Sequence, residues 1–408
     1  MKETLNTEQM AIVKKDGNIF VKAGAGTGKT RTITELYFDL LFQKQHDVRN
    51  ILAITFTEKA ANEMKDRIKK RIKEFTDGYT GRQKRHLLQL QKRMNYAWIS
   101  TLHAFCSRIL REFPLQSGVD PMFEIIDEAE KKSRINYTIK NYFNQTGGSS
   151  KFRMIKELAF LYRYDNLLDL FQEALVKNQY PLSKVNPSLF QTNTDDVKTG
   201  VLIRRLLPGF QTAFQEMVLN YHQNNKRDNK LDYEGLLFEV KRLLKKDREL
   251  KETLQNRFKC IIVDEFQDTN QQQKEIVDLL TREETKVVYV GDPKQSIYYF
   301  NGADVSVFNQ TEDEFRNEET YELFKNYRSN SELIDFFNLI FPKIFVKKSE
   351  LPYTITYDAL SAEKKDKTNE PVKLLPIATS FEEECENICQ YIKKRNAEGK
   401  DFKAFAIL

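Results

Sequence analysis

One segment constrains this chain more than any other: AGAGTGKT at positions 23–30. The apolar run at 18–22 (NIFVK) before it reads as a strand, and residues 30–43 after it carry helical periodicity. A glycine-rich turn between a strand and a helix is the setting of a phosphate-binding loop. Small side chains at Ala23, Gly24, Ala25, Gly26, Thr27 and Gly28 let backbone N–H groups close around an anion, and the following helix aims its positive end at the same place. Lys29 can reach β- and γ-phosphates, and the Thr30 hydroxyl can ligate Mg²⁺. The general pattern starts with Gly where this chain has Ala23, a small change.

A second constellation pairs with the loop. IIVDEFQD at 261–268 places Asp264 and Glu265 at the carboxyl end of a strand that reads as buried. An Asp there can hold Mg²⁺ through water, and a neighbouring Glu can orient and deprotonate an attacking water. Adjacent acids at a strand end are common, so the pair has weight only beside the loop. The 235 residues from Lys29 to Asp264 demand a large insertion.

The chain supplies one. Further strand candidates lie at 51–56 (ILAITF), 97–101 (AWIST), 260–263 (CIIV) and 287–290 (VVYV), with helical patterns between them. Alternation of this kind predicts an α/β fold with a parallel sheet. Between about 114 and 230 the pattern turns helical, with candidate helices at 128–143 and 156–177. The sheet is therefore expected to be interrupted and resumed. Residues 347–370 read partly as loop, and 402–408 (FKAFAIL) as a terminal strand.

Composition sets outer bounds. With 30% charged and 40% hydrophobic residues the chain suits a globular fold. No apolar run approaches the roughly 20 residues of a membrane helix, and positions 1–9 lack the apolar core of a signal peptide. The expectation is a cytosolic protein without a membrane partner. Four cysteines, Cys106, Cys260, Cys385 and Cys389, are too few for a disulfide scaffold. Cys385 and Cys389 share a helix face and read as two semi-buried thiols. The net charge of +6 permits nucleic-acid binding without requiring it. The basic run KDRIKKRIK at 65–73 puts Ala61, Met64, Ile68 and Ile72 on one face, which makes a solvated charged face the plainer reading.

Further segments stand in a telling order: LNTEQ at 5–9, ITFTEKAANEM at 54–64, TLHAFC at 101–106, LDYEGLL at 231–237, GDPKQSIYYFNGAD at 291–304 and NYRS at 326–329. With the phosphate loop and the paired acids, they resemble the motifs of a superfamily 1 helicase of the UvrD/Rep type, with details leaning toward the RecB and AddA motor subunits of helicase–nucleases. The resemblance implies a RecA-like lobe built from 1–113 and 231–310, a mostly helical insertion at 114–230 and the start of a second RecA-like lobe at 311–408. It implies an ATP-dependent motor on single-stranded or partly duplex DNA, moving 3′ to 5′, in repair or recombination. ATP and Mg²⁺ would be its cofactors, and a helicase–nuclease subunit a candidate partner. A nucleotide-dependent DNA- or partner-binding module without unwinding is the alternative.

The resemblance also assigns roles. Gln9 would read adenine, Tyr327 would stack on it, and Arg31 would lie near the nucleotide. Gln295 would sense the γ-phosphate, and Arg328 would reach it from the second lobe. Phe56, Tyr298 and Phe300 match aromatic positions that meet the single strand, and Thr57 and His103 match polar ones. For His103 a structural histidine, and for Phe56 a core residue, remain the ordinary alternatives. Asn301 departs from the family's usual Arg and cannot supply its ion pair or phosphate contact. The final AFAIL resembles the strand before the family's second insertion. The expectation is an N-terminal portion that lacks a second arginine finger and any nuclease domain, and that hydrolyses ATP poorly.

Overall fold

The computed structural model describes residues 5–146, 197–298, 303–315, 319–346, 353–365 and 372–407. The helix expected at 156–177, the aromatic Phe300 and the departure at Asn301 lie outside these residues.

Ten strands occur among the described residues: β1 (Ile19–Ala23), β2 (Ile51–Thr55), β3 (Trp98–Thr101), β4 (Glu124–Ile125), β5 (Lys230–Leu231), β6 (Cys260–Val263), β7 (Lys286–Gly291), β8 (Thr320–Leu323), β9 (Lys325–Asn330) and β10 (Ser361–Lys364). Six of them form one sheet in the order β3-β2-β6-β7-β1-β8, and every pairing in it is parallel. The expected α/β class with a parallel sheet is what the chain adopts. The sheet also takes in β8, which lies past the boundary expected at 310.

The strand sequences explain the placement. β2 (ILAIT) and β6 (CIIV) are buried at every position, as parallel strands covered by helices on both faces must be. Phe20, Leu52, Ile54, Ile261 and Val263 point to one side, where the helices Leu102–Glu112 and Tyr233–Lys246 bury Phe105, Ile109, Leu237 and Val240 against them. Ile19, Val21, Ile51, Ala53 and Ile262 point to the other, under the helices Lys29–Phe42 and Glu58–Thr76. In Glu58–Thr76 the buried residues include Ala61, Met64, Ile68 and Ile72, the face read from the sequence.

β2 and β6 are neighbours although about 200 residues separate them, and β1 and β7 are neighbours across about 260. The connecting stretch leaves the sheet after β3. Its described part contains the helices Glu128–Thr146 and Val197–Arg227, and it returns through the short parallel pair β4–β5. Loops at the carboxyl ends of β1, β2, β3, β6 and β7 therefore converge on one edge, where α/β folds form their ligand crevices.

Beyond β8 the chain makes the parallel pair β9–β10 and the helices Ser331–Ile344 and Phe381–Ala397. Two expectations fail here. Residues 402–407 do not form a strand: Phe402–Ala404 is a single 3₁₀ turn, because among the described residues no strand offers backbone partners and Phe402 and Ile407 are exposed. Cys385 and Cys389 are exposed, not semi-buried, since nothing in Phe381–Ala397 is buried.

Candidate nucleotide site and strand track

The loop after β1 has a backbone shape that suits a phosphate. Gly26 and Gly28 have φ of +72° and +87°, a region open to glycine at little cost. Both are also closely approached. A Cβ on Gly26 would lie 2.8 Å from the Asn326 Nδ2 and from the Arg328 Cβ, and one on Gly28 would lie 2.7 Å from the Gln9 Nε2. The helix Lys29–Phe42 begins with Gly28 as its N-cap and has no side-chain cap, so its first N–H groups remain available to an anion. Thr30 and Arg31 sit half-buried in its first turn.

Lys29 does not wait in solvent. Its Nζ donates to the Glu265 carboxylate at 2.5 Å, joining the loop to the acids after β6. Glu265 occupies the left-handed region at φ 53°, ψ 44°, which costs a non-glycine residue about 1–3 kcal/mol and is found at functional turns. Burial works against its charge, but the Lys29 ammonium and donors from Gln267 and Lys29 outweigh it and hold Glu265 below the usual carboxylate range. Asp264 goes the other way: burial, then the adjacent Glu265 charge, push it up to about 6. Asp268 is pushed up to about 6 by the same two causes, and its buried Oδ1 has no hydrogen-bond partner among the described residues. An anionic pocket short of positive charge is what a divalent cation would relieve.

Gln267 ties this turn to the next loop. Its Nε2 donates to Glu265 at 2.9 Å, while its Oε1 accepts the Asp292 backbone N–H at 3.0 Å. Asp292, in turn, accepts from the Gln295 Nε2 at 2.8 Å and pairs with Lys294 at 3.2 Å. The Gln295 amide is thus held at the floor of the cleft by Asp292.

The opposite wall comes from Gln9 and from β9. Gln9 is 2% exposed. Its Oε1 accepts from the Asn6 N–H in a capping box and its Nε2 donates to the Thr27 carbonyl at 3.1 Å. Asn6 also donates to the Tyr327 hydroxyl at 3.0 Å. Asn326 and the Tyr327 N–H both grip the loop, at the carbonyls of Ala25 (2.6 Å) and Gly26 (2.8 Å). Arg328 follows, exposed at the mouth of the cleft. Residues from 9, 23–30, 264–268, 291–295 and 326–328 therefore enclose one cleft.

The residues expected to meet a strand lie along the neighbouring loops. Phe56 sits one position past β2, half-buried instead of in the core, with its ring 4.5 Å from that of Tyr298. Two aromatics from separate motifs thus meet at the surface. Thr57 is exposed and N-caps Glu58–Thr76 by accepting from the Ala60 N–H. Thr101 caps the next helix and donates to Glu58 at 2.7 Å, which binds the two loops together. His103 stands edge-on to Tyr233 with a buried Nε2 that has no partner among the described residues, and burial pushes its pKa down to about 4. It is a neutral imidazole packed behind the track.

Three residues of the cleft were not singled out from the sequence: Asn326, Gln267 and Asp268. Each lay inside a segment already quoted, NYRS or IIVDEFQD, and their signal is a polar side chain that is buried.

Residues 5–316 match the UvrD/REP helicase N-terminal domain family. The chain belongs to this family. Curated proteins similar to it include the ATP-dependent DNA helicase PcrA of Staphylococcus aureus (strain Mu50 / ATCC 700699), 30% identical over 405 residues, which are 99% of this chain and 47% of that protein. The ATP-dependent DNA helicase PcrA of Staphylococcus epidermidis (strain ATCC 12228 / FDA PCI 1200) is 30% identical over 407 residues, 100% of this chain and 48% of that protein. The chain thus spans about half the length of the curated relatives it matches. This UvrD/REP-type chain has, among its described residues, no helix long and apolar enough to cross a membrane.

Proposed function

We propose that this chain is the ATP-binding part of an ATP-dependent DNA helicase or translocase, with ATP held between the loop at 23–30 and the segment at 326–328. One observation carries the reading. The Lys29–Glu265 pair and the grip of Asn326 and Tyr327 on Ala25 and Gly26 bring three distant motifs into contact at the loop after β1. The Staphylococcus relatives, named as ATP-dependent DNA helicases, support the reaction, and resemblance alone supports movement from 3′ to 5′.

In this reading the N–H groups of Gly26, Gly28 and the first helical turn bind the β- and γ-phosphates, and Lys29 exchanges Glu265 for phosphate oxygen. Glu265, an ionised carboxylate, then accepts a proton from the water that attacks the γ-phosphorus as the bond to the β-phosphate oxygen breaks. Arg328 neutralises charge from across the cleft, Tyr327 and Gln9 flank the base, Arg31 lies beside the nucleotide, and Gln295 relays phosphate occupancy to the track through Asp292. Thr30 and Asp264 would hold Mg²⁺, which supplies charge neutralisation when bound with the nucleotide. Phe56 and Tyr298 offer ring faces to successive bases, each stack worth about 1–3 kcal/mol regardless of sequence. Single-stranded or partly duplex DNA is thus the partner. The motor lobe comprises 1–113 and 231 to the end of β8, the insertion 114–230, and the remainder begins the second lobe.

The test is ATP hydrolysis with and without single-stranded DNA, in the natural chain and in Lys29→Ala. DNA-stimulated turnover that the variant loses supports the reading; DNA-stimulated turnover that survives in Lys29→Ala overturns it.

A further inference from the structure

The carbonyl groups of the phosphate loop are all held from behind. Gly24 accepts from Thr27 at 2.8 Å and Gly28 from Thr32 at 3.1 Å, both within the loop and its helix. Thr27 accepts from Gln9 at 3.1 Å. Ala25 and Gly26 accept from β9: the Asn326 Nδ2 at 2.6 Å and the Tyr327 N–H at 2.8 Å. A carbonyl and the N–H that follows it lie in one peptide plane and point in opposite directions. Drawing the Ala25 carbonyl outward therefore turns the Gly26 N–H inward. Among the described residues the N–H groups of Gly26 and Gly28 have no acceptor on the protein.

Asn326 does a second job with the same side chain. It is 2% exposed, and its Oδ1 accepts the N–H groups of Arg328 at 2.9 Å and Ser329 at 2.7 Å. That turn sets the Arg328 Cβ against Gly26, where a Cβ would meet it at 2.8 Å. Acceptor and donor ends of one buried amide thus fix the arginine-bearing turn and the phosphate loop relative to each other.

We infer that Asn326 is a positioning residue that aligns the Gly26 N–H and the Arg328 guanidinium on the same bound phosphate chain. The inference rests on the proposed nucleotide site and deepens it. If it is right, a nucleotide entering the cleft meets a loop already ordered by the second wall, and separation of that wall loosens the loop.

Two substitutions separate the two ends of the amide. Asn326→Asp keeps an acceptor for Arg328 and Ser329 but removes the donor to Ala25, whereas Asn326→Ala removes both. Backbone hydrogen exchange is read on the nucleotide-free chain at 24–28, where the bonded N–H groups of Gly24 and Thr27 report, and at 327–329, with ATP affinity and turnover measured on the same samples. In Asn326→Asp, exchange at 24–28 should accelerate while protection at Arg328 and Ser329 persists. In Asn326→Ala both should accelerate. ATP should bind about three- to tenfold more weakly in either variant, the scale of one lost buried hydrogen bond, and turnover at saturating ATP should fall further in Asn326→Ala. Unchanged exchange at 24–28 in Asn326→Asp would overturn the inference, as would acceleration spread evenly over β1, β6 and β7, which marks a merely structural residue. If the exchange pattern holds but the natural chain binds no ATP, the coupling stands and the proposed function falls.

Discussion

The two walls of the cleft are built differently. The loop at 23–30 and the acids after β6 hang from a sheet with a hydrophobic cluster on each face. After Leu323, among the described residues, only Ile334 and Leu360 join the buried hydrophobics. The first wall is fixed by burial and the second leans on it through hydrogen bonds to Ala25, Gly26 and Asn6. A region with few buried apolar contacts opens at lower free energy than a core. In the proposed motor the contrast has a use: one wall would hold the phosphates still, and the other would close on them and part.

Chemistry should depend on both walls, stability on only one. Glu265→Gln and Arg328→Ala should each lower ATP turnover by about 10³-fold or more, since removing an arginine finger costs about 10³–10⁵. Arg328 is exposed, and among the described residues its guanidinium has no side-chain partner, so the melting temperature of the nucleotide-free Arg328→Ala chain should match the natural one. A drop of several degrees would show that the second wall is structural.

Core substitutions sharpen the same contrast. Phe20 is fully buried and its ring packs on Phe266, Phe308, Phe315 and Tyr289. Phe20→Ala should cost about 3–5 kcal/mol in denaturant unfolding. Phe341, half-buried among Phe337, Phe345 and Tyr357, should cost about 1 kcal/mol when changed to Ala. Equal losses would mean that the two regions are equally consolidated.

The acids of the first wall carry a pH signature. Asp264 is pushed from an ordinary 3.8 up to about 6. Below the lower value the carboxyl is protonated whether the chain is folded or not, and nothing is lost. As the pH rises through 6, the folded state must hold a buried charge that the unfolded state holds more easily. Asp264→Asn should therefore melt like the natural chain near pH 4 and higher than it above pH 6, by on the order of 3 kcal/mol at most, while losing turnover. A stability advantage independent of pH would contradict this origin. A further effect belongs to the track: Phe56→Ala or Tyr298→Ala should weaken single-stranded DNA binding by about 1–3 kcal/mol in a fluorescence titration.

The sequence made the first wall legible and the second only by resemblance. AGAGTGKT and CIIV are local signals: small residues in a row, and an apolar run flanked by turns, mean the same wherever the chain goes. β8 (TYEL) and β9 (KNYRSN) carry no such pattern. They are strands because β1 offers β8 an edge and β10 offers one to β9, pairings that no local window contains. The converse error came at 402–407, where an apolar run without a partner stays a 3₁₀ turn. Phe56 shows the limit for single residues. Its neighbours in β2 are core, and only the end of the strand at Thr55 puts its ring beside Tyr298.

The most direct test of a nucleotide shared by both walls is equilibrium binding of ATP with Mg²⁺ to the natural chain, to Lys29→Ala and to Tyr327→Ala. Weaker binding in both variants, with folding intact, is the result that two walls around one nucleotide predict. Loss in Lys29→Ala alone, with Tyr327→Ala binding as tightly as the natural chain, would contradict it and leave β9 outside the site.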